Sequence, residues 1–157
     1  MQITSKFTIA VHILAFTDYF GEQMNITSSV LSGSIHANPV IIRGIISSLK
    51  DAGILYSGRG RRSIELAKDP RDITLYDVYS AVEKKERKSI FHFHEGSEPL
   101  CPIGRNIEGA LTPYLDGIQD SMEQRMREIS VSAVITDIRT QIEKEEKLPG
   151  KGLTEGV

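Results

Sequence analysis

Residues 38–62 read "NPVIIRGIISSLKDAGILYSGRGRR". Ile42, Ile45, Ile46 and Leu49 fall at i, i+3, i+4 and i+7, the spacing of one buried helix face. Asn38 stands where an N-cap is needed. Pro39 follows at the first helical position, where its missing N–H costs nothing. Ala52-Gly53 closes the helix, with glycine suited to a left-handed C-cap. The opposite face presents Val40, Arg43 and Ser47. Beyond Gly53, "ILYS" (54–57) and "SIELA" (63–67) alternate with period two around "GRGRR" (58–62). That pattern predicts a two-stranded hairpin with glycines in its turn and Arg59, Arg61 and Arg62 at its tip.

Upstream, Phe7, Ala10, Val11 and Leu14 repeat the helical spacing, with Thr4 as N-cap. "FGEQMN" (20–25) interrupts it, and "TSSVLSGS" (27–34) suits a short helix capped by Thr27 with Val30 and Leu31 turned inward. Two helices joined by the tight turn "IHAN" (35–38) make a helix-turn-helix, and the hairpin after them makes it winged. In that motif the N-terminal residues of the second helix reach base edges. Alone, Arg43 would be an ordinary solvated helix residue, and an arginine-rich turn is common. The order of helix, cap, hairpin and arginines favours DNA. Charge agrees: residues 1–68 hold seven Lys/Arg against four Asp/Glu, leaving 12 and 17 for residues 69–157. A basic contacting module with an acidic remainder is the pattern expected.

The second half opens with Thr74 as N-cap and Asp77 at N3, a variant capping box, followed by Val78 and Val82. Residues 84–100 have no clear period and predict a loop. Ile103, Ile107, Leu111, Tyr114, Ile118 and Met122 form an apolar stripe on a long helix, with a kink expected at Pro113. A stripe so far from the first core suggests a dimer interface. Val131, Val134, Ile135, Ile138 and Ile142 predict a last helix. "EKEEKLPGKGLTEGV" (143–157) has almost no apolar signal and is expected to be disordered.

"NPVIIRGIISSLKDAGIL" (38–55) and "LAKDPRDITLYDVYSAVE" (66–83), with the hairpin between them, resemble the Rrf2 family of bacterial regulators across roughly residues 2–145. Its members include iron–sulphur, nitric-oxide and cysteine-metabolism regulators. The resemblance implies a mainly α fold with a small β-hairpin: a winged helix-turn-helix DNA-binding domain (1–83), a sensor-type loop (84–100), a helical dimerisation region (101–147) whose long helix crosses its partner, and a tail (148–157). The wing is shorter and richer in arginine than the family's. Arg43 stands where the iron–sulphur regulator has a discriminating glutamate, so the operator should differ.

The resemblance also bears on cofactors. Iron–sulphur members supply three cysteines from the loop before the long helix, and this chain has only Cys101. An iron–sulphur cluster is therefore not expected. A mixed site from His92, His94 and Cys101 is the remaining metal candidate, although paired histidines in a polar loop are usually just exposed. Cys101 is expected at the N-terminus of the long helix, where the dipole favours thiolate. Some cluster-free relatives use a thiol there for sensing, while a half-buried, inert cysteine is the plain alternative.

Taken together, the sequence predicts a homodimeric DNA-binding regulator, with a repressor expected, bound to double-stranded DNA at a near-palindromic operator and answering to an unknown effector. Asn38, Val40 and Arg43 would read bases, with Pro39 and Ser47 also in the DNA-binding set. Arg59, Arg61 and Arg62 would hold the backbone or minor groove, and Thr4, Ser5, Lys6, Ser28 and Ser29 would meet phosphates at helix N-termini. The alternatives are a winged-helix protein-interaction module and a metal or ligand sensor built on the 92–101 loop. No phosphate-binding glycine loop, nucleophile elbow or paired catalytic carboxylates point to an enzyme. No run approaches 18 apolar residues, and the first residues lack a signal-peptide pattern, so a cytoplasmic protein without membrane association is expected.

Overall fold

The computed structural model describes residues 4–58, 63–83, 90–91, 93–94, 96 and 100–147. Helices α1 (Ser5–Phe20), α2 (Ser28–Ile35) and α3 (Pro39–Asp51) precede strands β1 (Leu55–Ser57) and β2 (Ile64–Leu66), and α4 (Leu75–Val82), α5 (Ile107–Arg127) and α6 (Val131–Glu146) follow. Local capping chemistry sets the helix starts. Thr4 accepts from Lys6 N, Thr27 from Val30 N and Asn38 from Val40 N, and Thr74 and Asp77 complete a reciprocal capping box.

Helix α3 ends in a Schellman arrangement. Gly53, at φ +66°, donates to the Lys50 carbonyl, and Ile54 N donates to the Leu49 carbonyl, both at 2.9 Å. Leu49 and Ile54 are both buried, the apolar contact that accompanies this motif. The reversal feeds directly into β1. There Leu55 pairs with Leu66, Tyr56 with Glu65 and Ser57 with Ile64. Backbone bonds from Gly58 to Ser63 and from Ala67 to Ile54 extend the pairing one step beyond each strand end. Ile64 N also donates to the Ile26 carbonyl, tying the hairpin to the start of α2. The expected tip, with Arg59, Arg61 and Arg62, lies outside the described residues.

The core holds Ile42, Ile45, Ile46 and Leu49, as the α3 repeat requires, against α1 and α4. Helix α1 is buried more widely than its predicted stripe: Ile13, Ala15, Phe16 and Thr17 join Ala10 and Leu14, while Phe7 and Val11 are only half-buried. The reason is that α2, α3, α4, β2 and α6 all pack around it. Leu31 is buried on α2, but Val30 only half so.

Two expectations for the second half need correction. The long helix starts at Ile107, so Cys101 and Ile103 lie in the turns before it. Those turns carry helix-like bonds, Arg105 N to Cys101 O and Ile107 N to Ile103 O, but Asn106 turns its side-chain amide back to the Pro102 carbonyl instead of capping. Helix α5 then runs without a break through Pro113. Helix α6 continues to Glu146, beyond the point where the apolar signal stops, and residues 148–157 lie outside the described set. Its start is pinned to the N-terminal half by Leu75 N to Ile129 O (2.9 Å) and Val131 N to Ile73 O (2.8 Å).

Candidate nucleic-acid interface

The turn between α2 and α3 is built from backbone geometry. His36 adopts φ 54°, a left-handed conformation rare outside glycine, and its N–H bonds the Ser32 carbonyl. Ser32 Oγ donates to the Ala37 carbonyl at 2.7 Å, closing the turn before Asn38. Asn38 Oδ1 accepts from Val40 N at 2.8 Å, so any further contact by this side chain falls to its amide nitrogen.

With Ile42, Ile45, Ile46 and Leu49 buried, α3 leaves Val40, Arg43, Gly44 and Ser47 on one exposed face, again at i, i+3, i+4 and i+7. Asn38 and Pro39 are exposed at its leading end. Val40 is 66% exposed and Ile41 45%, a large apolar exposure for the first turn of a helix. Apolar side chains in that position suit the thymine methyl group, and an arginine suits guanine O6 and N7.

Beside this face runs a groove of about 500 Å³, bordered by Ser28 and Ser29 of α2, by Arg43, Ser47 and Lys50 of α3, and by Ser57 of β1. The α2 N-terminus opens onto it, and N–H groups at a helix start attract anions. Lys50 Nζ donates to Ser57 Oγ at 2.7 Å, which fixes the ammonium against the hairpin. Lys50 and Ser57 were not singled out in the sequence. They meet only because the Schellman turn folds β1 back along α3.

The N-terminus of α1 is different. Thr4 N and Thr4 Oγ1 both donate to Glu83 Oε1, at 3.0 and 2.6 Å, so a carboxylate already sits where a phosphate was expected. Ser5 and Lys6 are exposed beside it, and neither borders the groove.

Cys101 is half-exposed, and the backbone N–H groups of Gly104 and Ile103 beside its sulphur lower the thiol pKa below its ordinary value. Amides of a turn, not a helix end, therefore lie beside the sulphur. His94 is exposed and His92 lies outside the described residues. No group of three metal-ligating side chains occurs among the described residues.

Helix α5 has no buried residue along its 21 positions. Its C-terminal end meets α4, where the Arg127 guanidinium lies 3.6 Å from the centre of the Tyr76 ring. Of the predicted stripe, Tyr114 is 72% exposed and Ile118 54%; Ile103 and Leu111 are also exposed, and Ile107 and Met122 are half-buried.

A family model described as "Rrf2: Iron-dependent Transcriptional regulator" matches residues 3–137. The chain is 36% identical over 137 residues to YwnA of Bacillus subtilis, a provisionally assigned HTH-type transcriptional regulator, covering 87% of this chain and 99% of that one. Among solved structures, a provisionally assigned DNA-binding protein superposes with TM-score 0.65 at 34% identity, over 83% of this chain and 99% of that one. IscR of T. potens gives TM-score 0.64 at 18% identity over 97% and 94% of the two chains, a likeness of fold.

Proposed function

The chain belongs to the Rrf2 family of transcriptional regulators, and we propose that it binds a near-palindromic operator as a homodimer and represses by occupying it. The observation that carries this reading is the exposed α3 face, with Arg43 and Ser47 bordering the serine-lined groove that Lys50 closes. Val40 and Arg43 read bases, Asn38, Pro39 and Ser47 flank them, and Ser28, Ser29 and Lys50 hold phosphate. Arg59, Arg61 and Arg62 reach the adjacent backbone or minor groove. Working on DNA, the protein acts in the cytoplasm.

Dimerisation is supported by α5. A helix of this length is about 32 Å long, and its exposed Leu111, Tyr114 and Ile118 fall on one side. In water such a stripe calls for a partner surface. A second copy supplies one by symmetry.

The family's description includes iron, and the donor set does not fit a cysteine-ligated cluster. Such clusters take several thiolates, and the chain has a single cysteine. We therefore propose regulation without that cluster, through Cys101. Its thiolate would attack a small-molecule disulfide, forming a mixed disulfide and releasing the other half as a thiolate. Alkylation of Cys101 by iodoacetamide, followed against pH, is expected to show a midpoint below the usual thiol value of about 8.5. A midpoint at or above it removes the basis for a thiol switch.

The DNA reading is tested by duplex binding across a salt series. Affinity is expected to fall at least about a hundredfold between about 50 and 200 mM salt. Lys50→Ala should weaken all sequences alike and reduce the log–log slope by about one per bound chain. Salt-independent binding, or an unchanged slope in Lys50→Ala, contradicts the phosphate role of the groove.

A further inference from the structure

Helices α1 and α6 line a second, half-open cavity, of about 240 Å³, that the DNA-binding reading does not use. Phe16, Tyr19 and Phe20 of α1 face Ile135, Ile138 and Ile142 of α6 across it. The three aromatic rings are packed among themselves, with centroids 4.6 Å apart for Phe16 and Phe20 and 4.8 Å for Tyr19 and Phe20. Ile135 is buried, Ile142 is half-buried and Ile138 is 38% exposed, so the two helices do not close over this space. Protein interiors leave few voids larger than a water molecule, and drug-sized ligands occupy about 300–1,000 Å³. The space fits a smaller, single-ring molecule.

One end is polar. Ser34 Oγ of α2 and His12 Nε2 of α1 lie 3.4 Å apart, long for a bond between hydroxyl and imidazole. Both groups therefore keep the capacity to bond a third. Partial burial lowers the His12 pKa from its ordinary value, which favours the neutral imidazole. Arg139 is engaged by Asp18 at 2.9 Å and lies 5.3 Å from the centre of the Tyr19 ring that lines the cavity. An adjoining polar cavity is lined by two ion pairs, Asp18 with Arg139 and Asp69 with Arg71.

We propose that the α1–α6 cavity binds a small, neutral, single-ring molecule carrying one hydroxyl group, a phenol in chemical class, with its ring between the aromatics and the isoleucines and its hydroxyl on His12 and Ser34. A phenol hydroxyl both donates and accepts, which suits a neutral imidazole beside a serine. The site touches α1, α6 and Ser34 on the first helix of the DNA-binding pair. Occupancy would thus link the helix that follows α5 to the one that carries α3. That regulatory consequence rests on the DNA-binding reading; the binding itself does not.

The test uses the full chain, titrated calorimetrically with p-cresol, toluene and benzoate in the absence of DNA. p-Cresol is expected to bind, toluene about tenfold more weakly through loss of the hydroxyl bonds, and benzoate not detectably. His12→Ala with Ser34→Ala should bring p-cresol down to the toluene affinity. Ile138→Trp, at a partly exposed position, should fill the cavity and abolish binding while leaving the thermal transition in place. No p-cresol binding, equal affinity for p-cresol and toluene, or full binding by Ile138→Trp each overturns the proposal; so does binding that appears only in a monomeric variant, because a second copy then covers the site. Operator binding by the ligand-free protein tests the regulator reading separately.

Discussion

Tyr114→Glu combined with Ile118→Glu is expected to leave the protein monomeric at micromolar concentration and to weaken operator binding more than about a hundredfold. Both side chains stand exposed on a helix with no buried residue, so the substitutions remove little from the fold of one chain. In a symmetric pair each residue is buried twice, and each apolar Å² withdrawn from water stabilises by about 25 cal/mol. Glutamates there lose that burial and set like charges against each other across the two-fold axis. Operator affinity falls with assembly because two linked half-site contacts exceed one by about 10²–10⁴. Sedimentation equilibrium gives the oligomeric state, circular dichroism reports retention of helix, and fluorescence anisotropy gives affinity. A variant that stays dimeric would move the interface off α5.

Leu49→Ala is expected to destabilise the folded chain by about 3 kcal/mol, within the usual 2–5 kcal/mol for such truncations, and to lower Tm by about 10 °C. Leu49 is fully buried, and its carbonyl accepts the Ile54 N–H that reverses the chain from α3 into β1. The truncation opens a void and removes the apolar contact with Ile54 that accompanies the reversal. Out of a total of about 5–15 kcal/mol, the loss is a large fraction. Thermal and urea unfolding measure it. A change below about 1 kcal/mol would mean that the α3 base is held by something other than this packing.

What was legible in the sequence was local. Thr4, Thr27, Asn38 and Thr74 each cap a helix within three residues of themselves, so spacing alone reveals them. The α3 stripe was legible because α3 buries one face only. Helix α1 was less so, because elements from both halves of the chain surround it. The start of α5 misled for a physical reason: Ile103 and Ile107 keep helical spacing, and even a helix-like bond, through turns that are not yet helix. His36 gave no warning of its left-handed backbone, a conformation usually signalled by glycine. At the candidate interface, Arg43, Ser28 and Ser29 were identified from helix position. Lys50, Ser57 and the Glu83 carboxylate on Thr4 depend on contacts that only the folded chain makes. The cavity under α6 has the same origin, since His12 and Ile142 are far apart in the chain.

The most direct test of the central claim is selection from a pool of random duplex DNA, sequenced after binding at two salt concentrations, with Arg43→Ala run beside the native protein. The expected result is a palindrome with half-sites about one helical turn, roughly 34 Å, apart. In Arg43→Ala one position per half-site should lose its preference, the effect of removing a contact worth about 1–3 kcal/mol. Weak retention without sequence preference, identical in both proteins and removed by salt, would contradict it.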